Sequence, residues 1–289
     1  MPTTNRQQRD LDWSIRQPGL IRSDNLWPTD DWFANLAVPQ VDNITPPPPR
    51  FRLGIHFEKL FQRWLDTQID YSTIAANLQV HGEGRTLGEF DLIVEAPTGT
   101  EHWELAVKFY INQQHANDPK HWFGPDPADT LATKLNRLTD HQLKLPFQPE
   151  ARTLLEARDI QLSNQRCIMK GRLYHSWDAY QTNQFHIPSL VNPNHCKGWW
   201  LSSEDLSQLV GKRLVYLDKS LWLSEVAATD VTEVLDVERV KRQVTESKQI
   251  ALQFAIVDNE NAECSRGFVL KPDWFEQVNA QHQDSIDVS

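Results

Sequence analysis

Acidic side chains and a lysine recur at alternate positions in residues 88–110, a segment whose apolar and polar residues alternate as in two β-strands joined by a tight turn. Glu89 and Asp91 share one face of the first strand, and Glu104 and Lys108 share one face of the second. Carboxylate oxygens that converge can bind a hard divalent cation, whereas a solvated strand face commonly carries nothing more than ion pairs. The residue types therefore leave two interpretations open, a site for chemistry and an ordinary polar face.

The position of the turn decides which of these side chains meet. A two-residue turn at residues 98–99 places Asp91 opposite Ala106, with Glu104 on the diagonal from Asp91. Cross-strand neighbours lie ~4.5–5.5 Å apart and diagonal neighbours ~7–8 Å apart. We therefore expect Glu104 to lie near Asp91 without facing it directly.

The same register sets Glu89 opposite Lys108. These two residues can complete a cluster of three carboxylates and a lysine on one face of the hairpin, or they can form an ordinary cross-strand ion pair. A slip of the register would break the arrangement, because it would carry each side chain away from its expected partner.

Elements of regular structure surround this hairpin in a definite order. Apolar residues at helical spacing predict a helix over residues 51–66, and a strand is expected over 74–81, before the hairpin. A second helix is expected over 129–145 and a further strand over 165–175. The expected order is thus helix, strand, strand, strand, helix, strand.

Three regions follow from this order. Residues 1–50 form an extended N-terminal segment packed on the core, and this segment ends in a stiff proline-rich spacer at 45–50. Residues 51–175 form the core, and residues 176–289 form an α+β extension. In the extension we expect a long helix and several short strands, at residues 229–247 for the helix and 213–217, 250–257 and 267–270 for the strands.

The composition restricts the classes of function. The chain of 289 residues carries a formal net charge of −10, which argues against a protein that binds nucleic acid over its whole surface but allows a local basic groove. No run approaches the ~20 apolar residues of a membrane span. Three scattered cysteines give neither a disulfide framework nor a zinc pattern. We expect a cytoplasmic protein with no membrane partner.

Basic side chains supply a candidate surface for such a groove. Lys134, Arg137 and Lys144 fall at helical spacing on the second expected helix, and Lys170 and Arg172 lie on the strand that follows. Side chains of this kind contact phosphates in nucleic-acid complexes. The alternative is that the stripe is a solvated helix face.

Two phrases and the order of elements carry a resemblance to known families. The phrases are Arg52-Leu-Gly-Ile-His-Phe-Glu58 and His102-Trp-Glu-Leu-Ala-Val-Lys-Phe-Tyr110. The order, with an acidic strand followed by a strand that carries a lysine, resembles the PD-(D/E)XK nuclease superfamily. The phrases resemble an uncharacterised bacterial family, the domain of unknown function DUF1853, which Leu11-Asp12-Trp13 also fits. The resemblance implies an α/β fold with a restriction-endonuclease-like core and a mixed sheet.

The resemblance also implies roles for individual residues. In the superfamily an acidic residue on the first helix assists the site, which here is Glu58, and the acid of the second strand binds a cation, which here is Asp91. Lys108 matches the lysine of the motif. The acid normally found two residues before that lysine is replaced by Ala106, so the second metal ligand is expected to be Glu104, or else Glu89.

The implied activity is hydrolysis of a phosphodiester in DNA or RNA with Mg²⁺ or Mn²⁺ as cofactor. Because an alanine stands where the motif has an acid, a second function is open. In that alternative the protein is a catalytically inactive, nuclease-like scaffold that binds nucleic acid or a protein partner.

Overall fold

The structure is a computed structural model that describes residues 5–40, 48 and 51–286 of the chain. The proline-rich spacer expected at 45–50 lies outside the described residues, except for Pro48.

A single mixed sheet of nine strands organises the described part of the chain. The strands follow the spatial order β1-β2-β3-β5-β6-β9-β8-β7, with the short β4 paired to β3. Their bounds are β1 Ser72–Gly82, β2 Arg85–Ala96, β3 Gly99–Asn112, β4 Trp122–Phe123, β5 Asn164–Ser176, β6 Cys196–Ser202, β7 Arg213–Leu217, β8 Ala251–Val257 and β9 Glu263–Leu270.

The centre of the sheet is parallel and both ends are antiparallel. Neighbouring strands run parallel from β3 through β5 and β6 to β9. The β1–β2–β3 meander on one side and the β7, β8 and β9 strands on the other pair antiparallel. The expected α/β class with a mixed sheet is confirmed. The strands after residue 176 continue the same sheet, so one sheet crosses the expected boundary between core and extension.

Helices cover both faces of the sheet. Their bounds are α1 Arg6–Arg16, α2 Asp30–Asn35, α3 Leu53–Leu65, α4 Leu131–Arg137, α5 Pro149–Glu156, α6 Trp177–Thr182, α7 Val237–Glu246 and α8 Pro272–Ile286. No helix in these described ranges combines the length and the apolar character that crossing a bilayer requires.

The alternation of side chains along β3 shows which helices lie on each face of the sheet. Trp103, Leu105 and Phe109 pack in a cluster with the apolar residues of α1, α2, α3 and α8. Ala106 and Tyr110 pack on the other face in a cluster with α4. Because side chains of a strand alternate between faces, α3 and α4 lie on opposite sides of β3. The apolar stripe of α3 follows the spacing that predicted it, and that helix is confirmed within two residues at its start and one at its end.

The N-terminal region supplies backbone to the middle of the sheet. Strand β5 begins at Asn164, but its pairing with β6 begins only at Arg172. The half of β5 that does not pair with β6 bonds to the N-terminal segment instead. The N–H of Leu20 donates to the carbonyl of Met169 at 2.8 Å, and the N–H of Cys167 donates to the carbonyl of Leu26 at 2.8 Å. The segment after α1 therefore satisfies backbone groups that would otherwise lack partners.

Several expected elements differ in extent from those observed. The helix expected over 129–145 begins at Leu131, after its N-cap Thr130, and changes after Arg137 into a π turn at Leu138–Gln142. The long helix expected over 229–247 is only α7, because the preceding residues form a 3₁₀ turn at Ala228–Asp230 and an extended link. The strand expected over 213–217 is observed at those bounds.

The hairpin turn lies one position earlier than the sequence predicted. Ala96 pairs with Gly99, so the turn residues are Pro97 and Thr98. Proline suits a turn position, since its φ is fixed and it lacks an N–H for the ladder. Gly99 follows with a positive φ of 109°, which favours glycine. The expected register is therefore wrong, and every cross-strand partner shifts by two residues.

An ion pair with several additional hydrogen bonds joins β3 to β5. The Glu101 carboxylate is fully buried and accepts from Arg166 at 2.9 and 3.0 Å, from Trp103 Nε1 at 2.7 Å and from Thr98 Oγ1 at 2.7 Å. The Arg166 guanidinium also lies over the ring of Trp32 at 4.9 Å, which attaches α2 to the sheet. Burial alone would raise the pKa of Glu101, but these hydrogen bonds outweigh burial and hold it below its ordinary value.

We predict that Arg166→Ala lowers the free energy of unfolding at pH 7 by about 3–5 kcal/mol, because it leaves a buried carboxylate without its charge partner. Chemical denaturation monitored by tryptophan fluorescence measures the change. Arg158→Ala, at an exposed arginine, is the matched control and is expected to have little effect. Equal losses in the two variants would contradict this account of the pair.

Candidate acidic site at the split between two strands

Strands β2 and β3 separate next to the candidate site. Their pairing runs from Ala96–Gly99 to Leu92–Trp103, and the next residues along would be Asp91 and Glu104. Instead of continuing the ladder, the Asp91 carboxylate accepts a hydrogen bond from the backbone N–H of Leu105 at 2.9 Å. The Asp91 side chain thus serves the Leu105 N–H of β3 in place of a backbone carbonyl of β2. This hydrogen bond holds the Asp91 carboxylate at the split.

Glu104 lies beside Asp91 and is almost fully buried, with 1% of its surface exposed. One oxygen accepts from His102 Nε2 at 2.7 Å, and the other accepts from the amide of Gln142. The carboxyl groups of Glu104 and Asp91 lie close enough to influence each other's pKa. Because the two groups interact, their protonation is coupled.

The shifted turn explains how these two acids meet. In the expected register Asp91 faced Ala106 and Glu104 was diagonal, whereas the observed register makes Glu104 the neighbour of Asp91. Ala106 is buried in the apolar cluster beneath α4 and pairs with Met169 of β5. Ala106 is therefore a core residue, and the acidic residue that β3 brings to the site is Glu104, two positions earlier.

The other two predicted acids approach from different elements. Glu58 on α3 interacts electrostatically with Asp91, Glu89 and Lys134, and its charge raises the pKa of Glu104. Glu89 lies on β2 beyond the last pair with β3 and pairs instead with Gln79 of β1. The expected position of Glu89 opposite Lys108 is wrong, because the two strands have already separated.

The crowding of acids raises their pKa values. Burial is the largest cause for Glu58, Asp91 and Glu104, and repulsion between these carboxylates adds to it in each of the three. The pKa of each of the three groups is raised to about 7. Hydrogen bonds from Leu105 and Gln142 and the charge of Lys134 act in the opposite direction. A cluster of this kind favours the binding of protons or of another cation.

Two lysines flank the acids in different ways. Lys134 on α4 interacts electrostatically with Glu58, Asp91 and Glu104, and its Nζ donates to Gln142 at 3.1 Å. Burial, followed by the charge of Lys108, lowers the pKa of Lys134 against the opposing effect of the acids.

Lys108, the lysine of the resemblance, is held away from the acids by an ion pair. Its Nζ lies 2.5 Å from a carboxylate oxygen of Asp129, whose other oxygen accepts from the Tyr110 hydroxyl at 3.3 Å. Lys108 remains close enough to Lys134 to repel its charge. It therefore lies at the rim of the cluster.

The candidate phosphate contacts divide into accessible and inaccessible residues. Arg137 and Lys144 are exposed, and Lys144 pairs with Asp140 at 3.1 Å. Lys170 is fully buried, donates to the carbonyls of Ile15 and Gln17, and lies 3.1 Å above the ring of Phe33.

Arg172 is also buried, and it donates to the carbonyl of Lys197 at 2.7 Å. The prediction that Lys170 and Arg172 contact phosphates is therefore wrong. Both lie on β5, a central parallel strand whose two faces are covered, and such strands offer no exposed side chains to a ligand.

Two residues of the site were not identified as members from the sequence. Gln142 bonds Glu104 from the π turn, and Asp129 holds Lys108 from the loop before α4. The expected helix over 129–145 already contained both positions, but a glutamine and an aspartate carry no pattern that distinguishes them from surface residues. Lys134 was expected only as a phosphate contact, and its position among the acids became visible with the fold.

The donor set is compatible with a hard divalent cation. Among residues 5–40, 48 and 51–286, no group of three or more His, Cys, Asp or Glu side chains is arranged to hold a metal ion. Mg²⁺, however, is commonly bound by one or two carboxylates, with waters and substrate oxygens completing its shell. Asp91 and Glu104 are two adjacent carboxyl groups with raised pKa values, so their chemistry fits that ion.

The raised pKa values predict how stability depends on pH. At these three groups the folded state holds protons that the unfolded state has released, so their contribution to stability falls as the pH rises from about 4 to about 7 and does not recover above that window. Asp91→Asn removes one repelling charge and retains an oxygen that can accept from Leu105. We predict that it raises Tm at pH 8 by ~2–4 °C, for a change on the order of 1 kcal/mol, and has little effect at pH 4.

Differential scanning calorimetry without divalent cations measures both values. Asp70→Asn, at an exposed acid, is the matched control and should leave Tm nearly unchanged at either pH. A lower Tm of Asp91→Asn at pH 8 would show that the carboxylate is not under repulsion.

Comparison with known proteins places the chain in a family. No curated protein and no solved structure matches it. The family model described as a domain of unknown function, DUF1853, matches residues 9–270, which is well over half of the chain. The matched region includes Glu58, Asp91, Glu104 and both lysines of the acidic site. The chain therefore belongs to the DUF1853 family.

Proposed function

We propose that this protein hydrolyses a phosphodiester bond in nucleic acid with Mg²⁺ or Mn²⁺ bound at Asp91 and Glu104. The observation that carries the proposal is the proximity of these two carboxyl groups, the buried Glu104 and the half-buried Asp91, which lie at the strand split with pKa values raised to about 7. Structural ion pairs normally neutralise buried carboxylates. Here three acids lie together with raised pKa values, as at sites that exchange a proton for a metal ion.

The order of elements supports a PD-(D/E)XK-like core. From α3 to β5 the chain runs helix, three antiparallel strands, helices and a strand parallel to the third, with only the short β4 added. Glu58 is on the first helix, Asp91 on the second strand, and Glu104 and Lys108 on the third. We propose on this basis that residues 51–175 are related to that superfamily, with the acid of the third strand displaced from position 106 to 104.

The residues of the chain divide the chemical work between them. Asp91 and Glu104 would hold the cation, and Glu58 would add negative charge at the same point. When Mg²⁺ is bound, the chemistry it supplies is polarisation of the phosphoryl group and a lower pKa of a bound water. Lys134, which faces the acids, would stabilise the charge that develops on the phosphate.

Lys108 would act at the rim, either on the attacking water or on the phosphate. To do so, its ammonium must exchange Asp129 for the substrate, and a phosphate competes well for such a half-exposed ion pair. Arg137 and Lys144 are exposed on the same helical region as Lys134 and would contact neighbouring phosphates. The net charge of −10 confines such contacts to this region.

A second candidate function is a nuclease-like scaffold without catalysis. Two observations favour it. Both oxygens of Glu104 already accept hydrogen bonds from His102 and Gln142, and the Lys108 ammonium is held by Asp129. Such a protein would use the same surface to bind nucleic acid or a protein partner without cleaving a bond.

Metal binding separates the two candidates. We predict that the wild-type protein binds Mn²⁺ at pH 8 in isothermal titration calorimetry and that Asp91→Ala abolishes this binding. Asp70→Ala, at an exposed aspartate, is the matched control. A wild-type protein that takes up no Mn²⁺ or Mg²⁺ would exclude the metal-dependent enzyme and leave the scaffold.

Cleavage assays then test the proposed roles. Single-stranded, duplex and structured DNA and RNA, end-labelled and incubated with Mg²⁺ or Mn²⁺, should include a substrate that the wild-type protein cuts. Lys108→Ala and Lys134→Ala are each predicted to lower the rate about 10²–10³-fold, as expected when a group that stabilises the transition state is removed. A rate unchanged by Lys108→Ala would show that the motif lysine takes no part.

A further inference from the structure

A continuous chain of hydrogen bonds surrounds Glu104. Gln165 Nε2 lies 3.3 Å from His102 Nδ1 and also donates to the carbonyl of Leu143 at 2.9 Å. His102 Nε2 lies 2.7 Å from one Glu104 oxygen, and Gln142 donates to the other. This chain of hydrogen bonds ends at Lys134, whose Nζ donates to the side-chain oxygen Oε1 of Gln142 at 3.1 Å.

Donor and acceptor roles follow from the ends of this chain. The Gln165 amide donates to His102 Nδ1, so that nitrogen accepts, and the proton of a neutral imidazole is on Nε2. Each Glu104 oxygen therefore accepts one hydrogen bond, one from the imidazole N–H of His102 and the other from the amide of Gln142.

The π turn places Gln142 in this chain. Residues eight apart on an α-helix are offset by roughly 80° around its axis, since each residue turns by about 100°. The Leu143 N–H donates to the carbonyl of Leu138 at 2.9 Å, an i to i+5 bond that widens the turn and takes up part of this offset. Gln142 is thereby aligned with Lys134 two turns earlier, and the two side chains meet above Glu104.

We propose that Gln142, delivered by the π turn, is a positioning residue that works with His102 to hold the Glu104 carboxylate beside Asp91 in the orientation that receives a cation. This inference rests on the proposed function for its consequence, but the hydrogen bonds exist without a metal. The Gln142 amide suits such a role because an uncharged donor fixes a ligand and leaves its negative charge available to the ion. Gln142 also links Glu104 to Lys134, so the proposed metal ligand and the proposed phosphate contact keep fixed relative positions.

The alternative is that Gln142 only packs against the sheet. A packing role would affect stability but would leave the acid–base properties of Glu104 unchanged. A positioning role changes two quantities. Loss of a hydrogen bond to the carboxylate raises the Glu104 pKa, and loss of its orientation weakens metal binding even at a pH where the group is ionised.

The test compares Gln142→Ala with Thr139→Ala. Thr139 is exposed on the same π turn, and its hydroxyl donates to the carbonyls of Leu135 and Asn136, both at 3.2 Å. The Glu104 carboxyl resonance, assigned with Glu104→Gln, is titrated by ¹³C NMR without metal. Mn²⁺ affinity is then measured by calorimetry at pH 7 and pH 9.

We expect Gln142→Ala to raise the Glu104 pKa and to lower Mn²⁺ affinity about 10–100-fold at both pH values. Thr139→Ala should change neither quantity. An unchanged Glu104 pKa in Gln142→Ala would overturn the positioning role, and so would an affinity that recovers fully at pH 9. If the wild-type protein binds no Mn²⁺ while Gln142→Ala still raises the Glu104 pKa, the proposed function fails and the hydrogen-bonded positioning of Glu104 stands.

Discussion

The loss of solvent around three clustered carboxyl groups, together with their mutual repulsion, is the constraint on which the site depends. Glu58, Asp91 and Glu104 come from three different elements and meet where β2 leaves β3. None of the three has an ion pair with a lysine or arginine among the described residues, and the pKa of each is raised to about 7. An arrangement of this kind is costly unless a proton or a metal ion occupies it. The proposed function accounts for that cost, because a cation would remove it.

The rest of the fold holds these groups in place. Helix α3 carries Glu58 on one face of the sheet, and α4 brings Lys134 over the other, with β3 between them. The Glu101–Arg166 pair attaches β3 to β5, and the N-terminal segment completes the backbone pairing of β5. The strand that carries Glu104 is thus paired with β5 from Glu101 to Ile111 and covered on both faces. Rigid support of this kind is what a site with fixed ligands requires.

Local patterns in the sequence predicted the elements and much of the site. Alternation predicted both strands of the hairpin, helical spacing predicted α3, and the motif residues Glu58, Asp91 and Glu104 do come together. The register was wrong because a choice between two adjacent turn positions depends on Pro97 and Gly99, and either turn keeps the alternation intact. The shift of the register by two residues makes Glu104 a direct neighbour of Asp91, where the sequence had predicted a diagonal contact.

Other features depend on tertiary context that a single sequence does not carry. Lys170 and Arg172 have the composition of a phosphate-binding strand, but their strand became central once β6–β9 extended the sheet. Gln142 acquires its role from a π turn, which no spacing of apolar residues indicated. In each case the residue type was visible, and its surroundings were set by segments far away in the chain.

The number of protons released when Mn²⁺ binds tests this account most directly. Calorimetry at pH 7 in buffers of different ionisation enthalpy gives that number. Because the three carboxyl groups have pKa values of about 7, each is about half protonated at that pH. The account predicts release of roughly one to two protons for each ion bound at pH 7 and almost none at pH 9. Binding at pH 7 without proton release, or no binding at either pH, would contradict it.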